Sequence, residues 1–143
     1  MAGTSDRQTV IRETMMDSQV QLERNKQIVC EFYDTIINKK DYETAKEKYI
    51  GKRYKQHNPL VKDYPEGLRE FIEFLRANHP DAKSEIVRCF AEGDYVILHV
   101  HSQRPPVHRA IVEIFRLENG RIEEHWDVIQ PIPDTSANSN GMF

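Results

Sequence analysis

The sequence predicts an α+β domain, on three observations. Apolar residues recur at helical spacing in the first half and at a spacing of two afterwards, and the last third writes a hairpin around Asn119-Gly120. Helices first and hairpin-linked strands afterwards exclude an alternating α/β chain. The expected architecture is a strongly curved antiparallel sheet wrapped around the N-terminal helices, leaving a cone-shaped pocket open at one end.

Residues 1–20 are polar and weakly periodic, and are expected to form a flexible or helical extension. In the helix that follows, Ile28, Val29, Phe32, Tyr33, Ile36 and Ile37 make one broad apolar stripe. Asp41 is the expected N-cap of a short helix through Tyr42, Ala45 and Tyr49, ended by Gly51. Tyr54 to Pro59 is too short for a helix and stops at the turn signal Asn58-Pro59, so a short strand ending at His57 is expected. Pro65 suits the first position of another helix, with Leu68, Phe71, Ile72 and Leu75 as its buried stripe and His79-Pro80 as its end. Residues 84–90, 95–101, 109–117 and 121–130 then read as four strands, the first two joined by a tight turn at Glu92-Gly93-Asp94. One domain over residues 21–132 results. The tail over residues 133–143 is either disordered or tucks Met142 and Phe143 into an apolar groove.

Asn-Gly fixes the register of the final hairpin, because both central residues of a type I′ turn need positive φ. With Glu118 opposite Arg121 and an unbroken ladder, Glu113 faces Trp126, Ile111 faces Val128 and Arg109 faces Gln130. That register puts Arg109, Ile111, Glu113, Trp126, Val128 and Gln130 on one face, expected to line the cavity and bind ligand. His125, Asp127, Val112, Ile114 and Ile129 share the other face, expected to meet a second subunit. A carboxyl held against an indole is desolvated, which moves its pKa toward that of a useful acid or base, and Glu113 is the expected catalytic group. His57, beside a rigid turn, is the second catalytic candidate, with packing against backbone as its ordinary alternative. His99 and His101 leave one face of a strand together and are expected at the pocket or its rim. No metal spacing accompanies them, so neither metal nor cofactor is expected.

The 143 residues, 38% hydrophobic and 30% charged with a net charge of −3, fit a single soluble domain. The acidic balance argues against nucleic acid or anionic membrane as the main partner. No apolar run is long enough for a membrane span, and the two cysteines read as core residues, so cytoplasm is expected. Phosphate loops, nucleophile elbows and paired zinc cysteines do not occur.

Gln56-His57-Asn58-Pro59, Ala91-Glu92-Gly93-Asp94, Ile114-Phe115-Arg116 with Asn119-Gly120, and the run from Glu124 to Pro131 resemble the SnoaL-like polyketide cyclase family of the nuclear transport factor 2-like superfamily. The ending Asn140-Gly141-Met142-Phe143 resembles its branch of predicted aldol-condensation enzymes. The resemblance runs from about Asn25 to the C-terminus. It implies an α+β cone, commonly a homodimer through the sheet, and a ring closure by intramolecular aldol chemistry without metal or cofactor. It also implies an acidic proton carrier four residues after the hairpin Trp, where this chain has Gln130. The expected function is acid–base chemistry on a small, partly apolar carbonyl compound. The alternatives are a non-catalytic ligand-binding or sensing dimer, and a protein-interaction module with a vestigial cavity.

Overall fold

The computed structural model describes residues 4–143, so the first three residues of the expected extension lie outside it. Helix α1 (Thr4–Tyr33) runs on into a π-helical turn, Asp34–Asn38, and is followed by α2 (Tyr42–Lys48), β1 (Ile50–Gln56) and α3 (Tyr64–Asn78). The chain ends in β2 (Lys83–Glu92), β3 (Tyr95–Arg104), β4 (Val107–Glu118) and β5 (Arg121–Pro131). From Asp6 to Arg24 the side chains of α1 are almost all exposed, so this stretch is a helix that the core does not hold. From Asn25 onward Val29, Phe32, Tyr33 and Ile36 are buried at the expected helical spacing.

Asp41 caps α2 through a hydrogen bond from the Thr44 N–H, and Asp63 caps α3 by accepting from the Tyr64 N–H. Pro65 sits in the first turn of α3, and Leu68, Ile72 and Leu75 are buried against the sheet. Asn119 and Gly120 have φ of 49° and 74°, the conformation expected at the hairpin turn.

The sheet order is β1-β5-β4-β3-β2. Neighbours pair antiparallel except β1, which lies parallel to β5, so the sheet is mixed where an antiparallel one was expected. The two strands are far apart in the chain and need no tight connection, which leaves either direction open to β1. The core lies between α1, α3 and the inner sheet face, with Val96, Leu98, Val100, Phe115 and Ile122 almost fully buried. Phe32 of α1 meets Phe115 of β4 edge-to-face at 5.6 Å.

The hairpin departs from the expected register at one residue. Glu118 pairs with Arg121 and Leu117 with Ile122, but Arg116 then pairs with Glu124, leaving Glu123 as a bulge. Beyond it Phe115 faces His125, Ile114 faces Trp126 and Glu113 faces Asp127. The bulge is tied down from the side, since a Glu123 carboxylate oxygen accepts the Arg53 N–H of β1 at 3.0 Å. A Cβ on Gly51 would lie 1.8 Å from that carboxylate, so a side chain there would push the carboxylate off the Arg53 N–H. β1 is irregular at the same level, with Tyr54 at φ of 35° and its ring turned into the core.

The tail is placed as well. Phe143 lies on the outer sheet face against His99 and His101, with ring centroids 5.2 and 4.6 Å apart. The surface against which Phe143 lies is thus lined by imidazoles, where an apolar groove was expected.

Candidate functional site

Between α1, α3 and the inner sheet face lies a cavity of about 150 Å³. Its walls are largely apolar, including Phe32, Ile36, Leu68, Phe71, Ile111 and Phe115. One cluster of its polar groups comes from Tyr33 of α1, Gln56 and Asn58 at the end of β1, and Glu113, His125 and Asp127 of the final hairpin. β1 delivers the first pair because residues 56 and 58 point the same way, while His57 between them points to the other side. The His57 N–H donates to the His125 carbonyl at 3.0 Å, fixing the end of β1 beside β5.

Glu113 and His125 are 6% and 7% exposed. His125 Nε2 lies 2.6 Å from Glu113 Oε2, and the Tyr33 hydroxyl donates to Glu113 Oε1 at 3.1 Å. The other imidazole nitrogen, Nδ1, lies 2.7 Å from Gln56 Oε1. That same oxygen accepts the Asn58 N–H at 3.0 Å, so the Gln56 amide presents an acceptor and Nδ1 must carry hydrogen. One mobile proton therefore occupies the short link between Nε2 and Glu113. The pair is either imidazolium with carboxylate, or neutral imidazole with carboxylic acid. The ring is held by Phe115 at 4.9 Å and by Tyr54, stacked at 6.2 Å.

Asp127 completes the cluster. Its Oδ2 accepts from Asn58 Nδ2 at 2.8 Å and lies 3.9 Å from His125 Nε2. Burial raises the Asp127 pKa above the ordinary carboxylate value and the charge of Glu113 raises it further, against the Asn58 hydrogen bond and the His125 charge. Burial, with Glu113 nearby, also holds the Tyr33 and Tyr54 hydroxyls well above their ordinary pKa, so both remain donors at neutral pH. Glu113, His125 and Asp127 offer one nitrogen and two carboxylate oxygens within 4.8 Å, a set that a divalent cation could use. Such an ion would have to displace the proton between Nε2 and Glu113.

The raised Asp127 pKa has a consequence for stability. The native state holds this proton more tightly than the unfolded chain does. Stability is therefore lost as pH rises from the ordinary carboxylate value, about 4, through the raised one. Asp127→Asn keeps an acceptor for Asn58 and removes the charge, so the variant gains on the wild type across that window. Urea denaturation of both proteins at a series of pH values checks this. A difference in stability that does not grow with pH would contradict it.

Of the residues expected at the site, Glu113, Ile111 and Arg109 line the cavity. Trp126, Val128 and Gln130 do not, because the bulge at Glu123 turns them to the outer face and brings His125 and Asp127 inward instead. Val128 is 67% exposed, and Trp126 stacks on His57 at 4.8 Å and meets the tilted ring of Tyr95 at 6.1 Å. His57 thus belongs to the outer surface, where its Nε2 meets Glu124 at 2.7 Å, and Glu124 in turn accepts from Arg116. His99 and His101 are on the outer face too, since Leu98 and Val100 between and beside them are the buried residues of β3. His99 bonds to Arg88, and His101 shares a hydrogen bond with His108 at 3.1 Å.

The expectation missed Tyr33, Gln56, Asn58, His125 and Asp127. One signal was present. Strict alternation puts Glu124 inward beside Ile122, an acidic residue against the core, and a single extra residue after Ile122 removes that conflict.

Comparison with known proteins gives a consistent fold. A family model described as SnoaL-like polyketide cyclase matches residues 27–133. No curated protein matches the chain. Among solved structures, a proposed polyketide cyclase from Acidithiobacillus ferrooxidans is similar at a TM-score of 0.65 and 22% identity, over 74% of this chain and 87% of that one. TsrD from Streptomyces laurentii gives 0.63 and 19%, over 73% and 87% of the two chains. A proposed ketosteroid isomerase from Kribbella flavida gives 0.65 and 14%, over 84% and 85%. These identities speak for the shared fold alone.

Proposed function

The chain belongs to the SnoaL-like polyketide cyclase family, and from that premise we propose that its cavity binds a small carbonyl compound and moves a proton on the carbon beside the carbonyl. The observation that carries this reading is the buried Glu113–His125 link with its mobile proton at the end of an apolar cavity. Glu113, as carboxylate, takes the proton from the carbon. The electron pair of that C–H bond moves toward the carbonyl oxygen, giving an enolate. Asp127 in its protonated form, which burial favours, donates a hydrogen bond to that oxygen, and the Tyr33 hydroxyl, released from Glu113 once that group has taken the proton, donates a second where charge develops. His125 holds Glu113 in place and exchanges its proton. The enolate carbon then either regains a proton or attacks a second carbonyl, which is the aldol step. Two carboxyl groups with different environments suit this division of labour.

Gln130 stands where the resemblance implies an acid, but it faces away from the cavity, and Glu113 and Asp127 supply the ionisable groups. The experiment is exchange of carbon-bound hydrogen for deuterium in 4-oxopentanoate, a small ketone acid, followed by proton NMR in D2O. Exchange well above that given by equal concentrations of acetate and imidazole is expected. A rate equal to that background would refute the reading.

We also propose a homodimer through the outer sheet face. Phe90, Tyr95, Ile97, Val112 and Val128 are large apolar side chains exposed there between 38% and 67%, more than a monomer usually leaves together. The dimer mass is expected in light scattering at micromolar concentration, and a monomer mass there would contradict it.

A further inference from the structure

The mouth of the cavity is cationic. Arg104 ends β3, Arg109 begins the inward row of β4, Lys83 opens β2, and all three line the cavity. Arg109 pairs across the ladder with Ser102, two residues before Arg104 on the same inner face. The two guanidinium groups thus lie together over the pocket and repel. Burial and the neighbouring Arg109 charge both lower the Arg104 pKa. Among the described residues none of the three forms an ion pair, whereas Arg53, Arg69 and Arg116 on the surface each find a carboxylate. Arg109 donates to the Val107 carbonyl through Nη1 at 3.0 Å, which holds one edge of its fork and leaves the other free.

Half-buried, like-charged and unpaired guanidinium groups are unfavourable unless an anion joins them, and their planar forks match an oxyanion bidentately. The mouth and the acid–base cluster lie along one strand. Arg109 and Glu113 are four residues apart on the inner face of β4, roughly 13 Å between Cα atoms, and the two side chains shorten the remaining span. A ligand held by its anion at the mouth would present a carbonyl a few bonds away to Glu113.

We propose that Arg104 and Arg109 form an oxyanion subsite, and that the substrate is a carbonyl compound bearing a carboxylate or phosphate group. This rests on the reading of the cavity as a carbonyl site and specifies its substrate class. Lys83 adds a third, more exposed charge at the rim.

Binding separates this proposal from catalysis. Dissociation constants are measured by calorimetry at low salt for 4-oxopentanoate against its methyl ester, and for dihydroxyacetone phosphate against dihydroxyacetone. At least one anion is expected to bind tenfold or more tighter than its neutral counterpart. Preference for the first pair assigns the subsite to carboxylates, and preference for the second assigns it to phosphate esters. Arg104→Gln with Arg109→Gln is expected to abolish the preference, while Arg104→Lys with Arg109→Lys retains part of it through charge without the fork. Glu113→Gln is expected to keep the preference even though proton transfer is lost, so failed catalysis and a failed anion site remain distinguishable. Equal affinity for charged and neutral partners in the wild type, or no binding of either anion, would overturn the proposal. A preference untouched by the double Gln variant would also overturn it.

Discussion

Glu113→Gln is expected to lower the rate of carbon–hydrogen exchange by about 10²–10⁴-fold while leaving ligand affinity close to that of the wild type. The substitution is nearly isosteric and keeps the buried network satisfied. The amide oxygen still accepts from the Tyr33 hydroxyl, and the amide nitrogen donates to His125 Nε2 while Nδ1 continues to donate to Gln56. What disappears is the group able to take a proton. Glu113→Leu provides the contrast. It removes the acceptor of the Tyr33 hydroxyl and the close partner of His125 Nε2, at about 1–3 kcal/mol for each group, so its lower melting temperature confuses the kinetics. Exchange rates by NMR and ligand affinity by calorimetry, on the same Glu113→Gln preparation, decide the matter. Undiminished exchange would remove Glu113 from the chemistry.

Deletion of Glu123 is expected to leave every remaining pair of the β4–β5 ladder in place and to lower stability by about 1–3 kcal/mol, whereas Glu123→Gln changes stability by no more than about 1 kcal/mol. Glu123 is the extra residue. Ile122 pairs with Leu117 and Glu124 with Arg116, so without it the ladder runs on regularly, with His125 still inward between Tyr54 and Phe115 and Trp126 still outward. The loss comes from the Arg53 N–H that the Glu123 carboxylate now satisfies. Glu123→Gln keeps an oxygen for that N–H and loses only the charge. Trp126 is the single tryptophan, so its fluorescence reports its face directly. A deletion variant that loses its cooperative thermal transition, or whose Trp126 emission departs from that of the wild type, would show that Glu123 itself holds the register.

The pairing of β5 against β4 decides which groups Glu113 can reach. Ile122 and Phe115 are buried and point inward in the register read from the sequence and in the structure alike. Five residues further along, the two registers disagree about Trp126 and Asp127. The cavity chemistry consequently changes from a carboxyl against an indole to two carboxyls bridged by an imidazole.

The sequence by itself determined the element order, the cap at Asp41, the Pro65 start of α3, the stripes of α1 and α3, the Asn-Gly turn and the curved α+β sheet. These features are local, since propensity, periodicity and turn chemistry act over a few neighbouring residues. It also put Glu113, Ile111 and Arg109 on the face that lines the cavity, because no bulge interrupts their strand. Only the tertiary structure decided the partners of Glu113. The bulge at Glu123 is held by Arg53, 70 residues earlier in the chain, and by the space over Gly51. A strand's parity is fixed by the strand packed beside it, and that contact is invisible to any reading confined to nearby residues.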